Sequence, residues 1–122
     1  MAKDDYAVIV YYLLSYLYCC LKHGEQPDAQ YLGLKEYPAT INEQYLTFIY
    51  GELLRKGYIT GVIVGDVAIL GKGRVKVLKS YEDAQITADG IEYLQQNSTM
   101  SLAWKRIQEI GGILLEAVNA FQ

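Results

Sequence analysis

Apolar positions along the chain fall into blocks whose spacing changes from helical to strand-like and back to helical. The first block runs from Tyr6 to Leu21 and is almost entirely apolar. Two aspartates precede it, whereas Lys22, His23 and Gly24 follow it, an order that suits the dipole and the termination of a helix. We therefore predict a first helix over residues 4–23. Because it is apolar nearly all round, this helix must be covered on more than one side.

A second amphipathic helix is predicted after the connector 24–39, which contains both prolines and a short helix or turn over about 28–37. Thr40 and Glu43 have the spacing of a capping box, and the helix runs from there to about residue 56. The helical period places five residues on a broad apolar face: Ile41, Tyr45, Leu46, Ile49 and Leu53. The opposite face carries Glu43, Gln44, Thr47, Gly51 and Arg55.

The segment after this helix is strand-like. Residues 58–64 are rich in β-branched and aromatic side chains, and residues 67–70 form a second apolar run after a break at Gly65-Asp66. A turn at 71–73 leads into residues 74–78, where charged and apolar residues alternate. This pattern predicts a β-hairpin.

Two further helices are predicted at the C-terminal end. Thr87 is a suitable N-cap for a helix over 88–96, and a longer amphipathic helix follows over 99–120. At 122 residues the chain is long enough for one domain. The predicted fold is therefore a single α+β winged helix-turn-helix with added N- and C-terminal helices, in which helix-turn-helix and wing occupy residues 28–87.

Four segments recur in a characteristic order and spacing. They are Thr40–Glu43, LLRKGYITGV at 53–62, ITADGIEYLQQN at 86–97 and the Trp104–Ile110 pattern of the last predicted helix. The third looks like the LTxxGxxxL element that closes the wing of many bacterial winged-helix regulators. In these segments the chain resembles the YjcQ family of small winged-helix proteins from bacteria and their phages. The resemblance covers roughly the C-terminal two thirds and implies a winged-helix fold and a bacterial or prophage context.

The composition and the net charge of the chain exclude some classes of function. The formal net charge of −3 and the pI of about 5.1 argue against a strong non-specific DNA-binding protein, but a local basic patch matters more than the total. The single histidine, His23, falls at a helix end, and no nucleophile–base set or phosphate-loop motif is present, so we expect no enzymatic activity and no cofactor. Adjacent Cys19 and Cys20 point about 100° apart on a helix and are expected to be reduced, buried thiols without a metal.

Two groups of residues are candidates for DNA contact. The first is an alternating set of cations that share one face of a strand and typically bind phosphates: Lys72, Arg74 and Lys76, with Lys79 close by. The second lies on the outer face of the 40–56 helix and offers base or phosphate contacts: Gln44, Thr47 and Arg55. An alternative explains these cations equally well: they lie on an edge strand, and their charges prevent the strand from pairing with another chain.

These observations predict a cytoplasmic, DNA-binding transcriptional regulator that forms a homodimer through its N- and C-terminal helices. Two alternatives stay open. The acidic pI and the twelve tyrosines favour a winged-helix protein–protein interaction module that does not bind DNA, and the terminal helices could cover each other within one chain. The run from Tyr6 to Leu21 is too short and too rich in tyrosine for a membrane span, and no secretion signal is expected.

Overall fold

The computed structural model describes residues 2–97, and the predicted helix over 99–120 lies outside them. The chain has the predicted α+β class. Its helices are α1 (Tyr6–His23), α2 (Ala29–Leu32), α3 (Glu43–Arg55) and α4 (Ala88–Gln96). Its strands, all between α3 and α4, are β1 (Ile59–Thr60), β2 (Ile63–Ile69), β3 (Gly73–Ser80) and β4 (Gln85–Ile86).

Helix α1 is the centre of the core. From Val8 to Cys20 every residue except Tyr18 is buried, and α1 contacts α2, α3, α4 and β4. It ends as predicted at Gly24, which has a left-handed φ of 65°. Since a single chain already buries α1, its apolar character no longer argues for a second subunit.

Tyrosine hydroxyls hydrogen-bond to the main chain of the N-terminal residues and of the short helix α2. Five of the twelve tyrosines are buried, which explains much of the tyrosine content by packing inside the chain. Four hydroxyls donate hydrogen bonds to main-chain carbonyls of the N-terminal residues and of α2, and so replace bonds that these short segments cannot make internally. The donors and acceptors are Tyr12 to Tyr31, Tyr37 to Lys3, Tyr45 to Asp4 and Tyr50 to Leu32.

Helix α3 begins two residues later than predicted. Its N-cap is Asn42, whose Oδ1 accepts a hydrogen bond from the backbone N–H of Gln44 at 2.7 Å. The predicted capping box of Thr40 and Glu43 is therefore wrong, because Asn42 is an equally strong cap and lies directly before the helix.

The strands form two separate antiparallel pairs, β1 with β4 and β2 with β3. The β2–β3 hairpin runs from the pair Val64–Leu78 to the pair Ile69–Gly73, and β2 continues through Gly65 and Asp66. The predicted break at these two residues is wrong. The missing side chain of Gly65 instead leaves room for Lys79, whose Cε would lie 2.5 Å from a Cβ at that position.

The β1–β4 pair is joined to its surroundings by two close backbone approaches. Gly61, with φ of 82°, is so near Asp83 that an added Cβ would overlap the carbonyl oxygen of that residue. In the first turn of α4, a Cβ on Gly90 would overlap the carbonyl oxygen of Tyr58. Thr87 caps α4 as predicted, since its Oγ1 accepts from the backbone N–H of Gly90 at 3.2 Å.

Candidate nucleic-acid interface

The two faces of the β2–β3 hairpin differ in chemistry. Side chains alternate along each strand, so the register assigns every residue to one face. The first, which we call the cationic face, carries Asp66, Ala68, Arg74 and Lys76. At its base Val64 and Leu78 pack against the core. The second, the apolar face, carries Val67, Ile69, Val75 and Val77.

The predicted wing cations are all exposed, but they do not form one set. Arg74 and Lys76 share the cationic face as predicted, and Lys72 lies in the turn between the strands. Lys79 belongs to the opposite face, where its alkyl chain lies over Gly65. The structure therefore keeps three of the four cations together and separates Lys79 from them.

The outer face of α3 is formed by residues one helical turn or two apart: Gln44, Phe48, Gly51 and Arg55. Gln44 and Arg55 are exposed, as the sequence predicts, and so is Phe48, with 57% of its surface accessible. Thr47 is buried, and its Oγ1 donates to the carbonyl of Glu43 at 2.9 Å. The prediction that Thr47 is free for base contact is wrong, because its hydroxyl bonds back to the preceding turn.

Gly51 lies on this outer face without a steric reason among residues 2–97. A glycine in a helix interior costs about 1 kcal/mol relative to alanine. Every other described glycine either has a left-handed φ or lies where a Cβ would clash. Gly51 has neither reason, because its backbone is helical and no described atom lies within 4 Å of a Cβ built on it.

Arg55 is held by a carboxylate. Its Nε and Nη2 donate to Oε2 and Oε1 of Glu52, each at 2.9 Å. These bonds lower the pKa of Glu52, and the positive charges of Arg55, Lys56 and Lys76 lower it further. Arg55 is exposed and Glu52 is partly exposed, so solvent screens the pair and it adds little to stability. The hairpin packs on α3 through both of its strands, and this contact places Lys76 on the same side of the molecule as Glu52.

Hairpin and helix thus present one surface, which we call the helix–hairpin surface. Its five cations are Arg55, Lys56, Lys72, Arg74 and Lys76, and its three anions are Glu43, Glu52 and Asp66. This local excess of two positive charges contrasts with the net charge of −3 for the whole chain. Phe48, Glu52 and Lys56 were not predicted from the sequence. The helical period could have found Phe48, which is four residues from Gln44.

Other kinds of site find little support in residues 2–97. No group of three or more potential metal ligands is found there, and no helix in this range has both the length and the apolarity to cross a membrane. Cys19 and Cys20 are buried free thiols, and burial raises the pKa of both, which makes them poor nucleophiles. A cleft of about 300 Å³ beside Cys20 is lined mainly by the 24–27 and 83–86 segments.

Comparison with known proteins gives one match. The model of the YjcQ protein family matches residues 11–113, a range that includes the whole helix–hairpin surface. No curated protein and no solved structure matches the chain. The resemblance seen in the sequence is therefore confirmed over most of its length, and the chain belongs to the YjcQ family.

Proposed function

We propose that this protein is a winged-helix DNA-binding protein, a cytoplasmic transcriptional regulator of bacterial or prophage origin, with α3 as the recognition helix and the β2–β3 hairpin as the wing. The helix–hairpin surface carries the proposal, because it concentrates cations on two elements that the fold brings together. Phosphates are the partners that such a surface attracts, and they fix position without reading sequence.

The dimensions of the two elements fit a duplex. An α-helix enters the major groove of B-DNA, and a strand of seven residues reaches about 23 Å at about 3.3 Å per residue. The hairpin can therefore contact the phosphates beside the groove that α3 occupies. The acidic total charge and the Glu52–Arg55 pair oppose binding, so we expect modest affinity that depends strongly on salt.

Removing two wing cations tests the phosphate contacts. The double variant Lys72→Ala/Lys76→Ala should bind a short duplex about tenfold more weakly at low salt. The slope of log affinity against log salt concentration should fall by about two, because two fewer counterions are released. Fluorescence anisotropy of a labelled duplex measures both quantities. The matched control is Lys22→Ala/Lys35→Ala, which changes the charge equally at exposed lysines outside the helix–hairpin surface. Equal losses in the two double variants, or no binding by the wild type at micromolar protein, would contradict the proposal.

Neutralising Glu52 should have the opposite effect. Glu52→Gln removes the carboxylate that binds Arg55 and so frees the guanidinium. We expect affinity for duplex DNA to rise about threefold, because one more cation becomes available to phosphate. Glu92→Gln, an exposed substitution on α4 with the same charge change, is the control and should change little. A loss of affinity in Glu52→Gln would show instead that the carboxylate positions Arg55 for contact.

A protein–protein interaction module is the second candidate, and one observation favours it. The apolar face of the hairpin is open, with Val67 and Ile69 about 40% exposed and Leu70 at the tip fully exposed. Such a patch is typical of contact with another protein. The absence of DNA binding in the anisotropy measurement would leave this candidate in place.

The homodimer stays a prediction. One of its two predicted contacts, α1, is covered inside the chain, and the other, residues 99–120, lies outside the described residues. A dimer would give a regulator two copies of α3 for two half-sites on the duplex. Light scattering measures the molar mass directly.

A further inference from the structure

The outer face of α3 carries a polar amide, an exposed aromatic ring and a glycine, which has no side chain. Gln44 and Phe48 are one turn apart, and Gly51 follows on the same face. Among the described residues Phe48 makes an edge contact with the ring of Tyr6, at 6.1 Å between centroids and 61° between planes. More than half of the surface of Phe48 is still accessible to solvent.

Gly51 points independently to an external surface. Its position is not explained by packing, since a Cβ there would meet no described atom within 4 Å. A helix that lacks a side chain at this point lets another surface approach its backbone closely. Phe48 and Gly51 are neighbours on the outer face, so the same external surface would contact both.

We propose that α3 reads adenine and thymine in the major groove, with the Phe48 ring against the C5 methyl of thymine and the Gln44 amide on N6 and N7 of adenine. Both pairings follow from the groups that these bases display in that groove. Four residues span about 6 Å of helix, so the two side chains meet bases about two steps apart. Gly51 lets the helix lie deep enough for both contacts. This inference rests on the proposed DNA binding and specifies its target.

The charge around Phe48 favours DNA over a protein as the occupant. Arg55 follows on the same face, and Lys56, Arg74 and Lys76 belong to the adjoining helix–hairpin surface. An apolar protein surface offers no counter-charge to Arg74 and Lys76, whereas a duplex presents phosphates beside the thymine methyls.

Replacing thymine by uracil in the DNA removes the methyl and nothing else. We expect the wild type to bind an A·T-rich duplex about fourfold more tightly per contacted methyl than the same duplex with uracil. In Phe48→Ala this difference should vanish, because the methyl has lost the ring that it contacts. The ring and the methyl are thus removed separately and together, which is a double-mutant cycle between protein and base. Leu21→Ala, at an apolar side chain of similar exposure on α1, should keep the difference.

Gly51→Ala gives a second, independent readout. The variant should unfold at a higher temperature than the wild type, because alanine favours the helix and meets no described neighbour. It should nevertheless bind both duplexes more weakly, since the new methyl keeps the DNA away from the helix. A loss of affinity in a more stable protein cannot come from unfolding.

The outcomes separate this inference from the proposed function. Wild-type binding that is equal for thymine and uracil duplexes overturns the base reading and leaves DNA binding intact. If Phe48→Ala loses the same affinity for both duplexes, the ring has another role, and the proposed base reading is again overturned. No binding to either duplex at low salt overturns both proposals. If Phe48→Ala fails to fold, Phe48→Leu serves in its place and should reduce the difference.

Discussion

Replacing Gly61 with alanine is expected to destabilise the protein severely. At this residue φ is 82°, and an added Cβ would overlap the carbonyl oxygen of Asp83 and lie 2.7 Å from its carbon. The overlapping atoms belong to the backbone, which cannot move away as easily as a flexible side chain. We expect a cost of about 4 kcal/mol or more, a large part of the roughly 5–15 kcal/mol that stabilises a domain. Urea denaturation followed by circular dichroism measures it.

Gly71→Ala separates steric overlap from backbone strain. Gly71 lies between β2 and β3 with a φ of 84°, almost that of Gly61, but no described atom lies within 4 Å of a Cβ there. Only the strain of the left-handed conformation applies, and it costs about 1–2 kcal/mol. Similar losses for Gly61→Ala and Gly71→Ala would show that the β1–β2 corner moves away from Asp83.

Raising the pH above about 10 is expected to unfold the protein cooperatively. Burial raises the pKa of Tyr12 and Tyr50 far above the ordinary tyrosine value, and burial does the same for Tyr37. Between the unfolded and the folded pKa the folded state binds more protons, so stability is fully present below about pH 10 and falls as pH rises. Tyr12 and Tyr50 together remove about 2.8 kcal/mol per pH unit, at about 1.4 each.

Tyrosinate absorbance and circular dichroism, recorded together against pH, test this expectation. Tyr12, Tyr37 and Tyr50 should ionise only as helical signal is lost. Tyr50→Phe should make stability fall less steeply with pH, by about 1.4 kcal/mol per unit, although it also loses the bond to Leu32. Complete ionisation in one step near pH 10, with the helices retained, would contradict the assignment.

Local signals in the sequence predicted the elements well. Gly24 ends α1 and Thr87 caps α4 as expected, because these positions depend on residues within one turn. The hairpin followed from β-branched residues and a glycine turn. Where two local signals compete, the choice is uncertain. Asn42 rather than Thr40 caps α3, although both are suitable side chains.

The candidate site was harder to predict because it depends on register and on packing. Lys79 and Lys76 are three residues apart in β3 and so lie on opposite faces, but only the pairing of β2 with β3 shows that Lys79 lies over Gly65. Thr47 is at the edge of the outer face of α3 by helical period, yet tertiary contacts bury it. The pairing of β1 with β4 joins segments about 25 residues apart, which a sequence period cannot reveal.

The tyrosine bonds to main-chain carbonyls have a consequence for divergence within the family. Every residue type supplies the same peptide oxygen, so positions 3 and 4 can change their side chains and still accept these bonds. A lost hydroxyl on Tyr37 or Tyr45 has no such substitute. We therefore expect the N-terminal residues to vary in sequence among relatives while keeping their path, and the selective constraint to fall on the two donors.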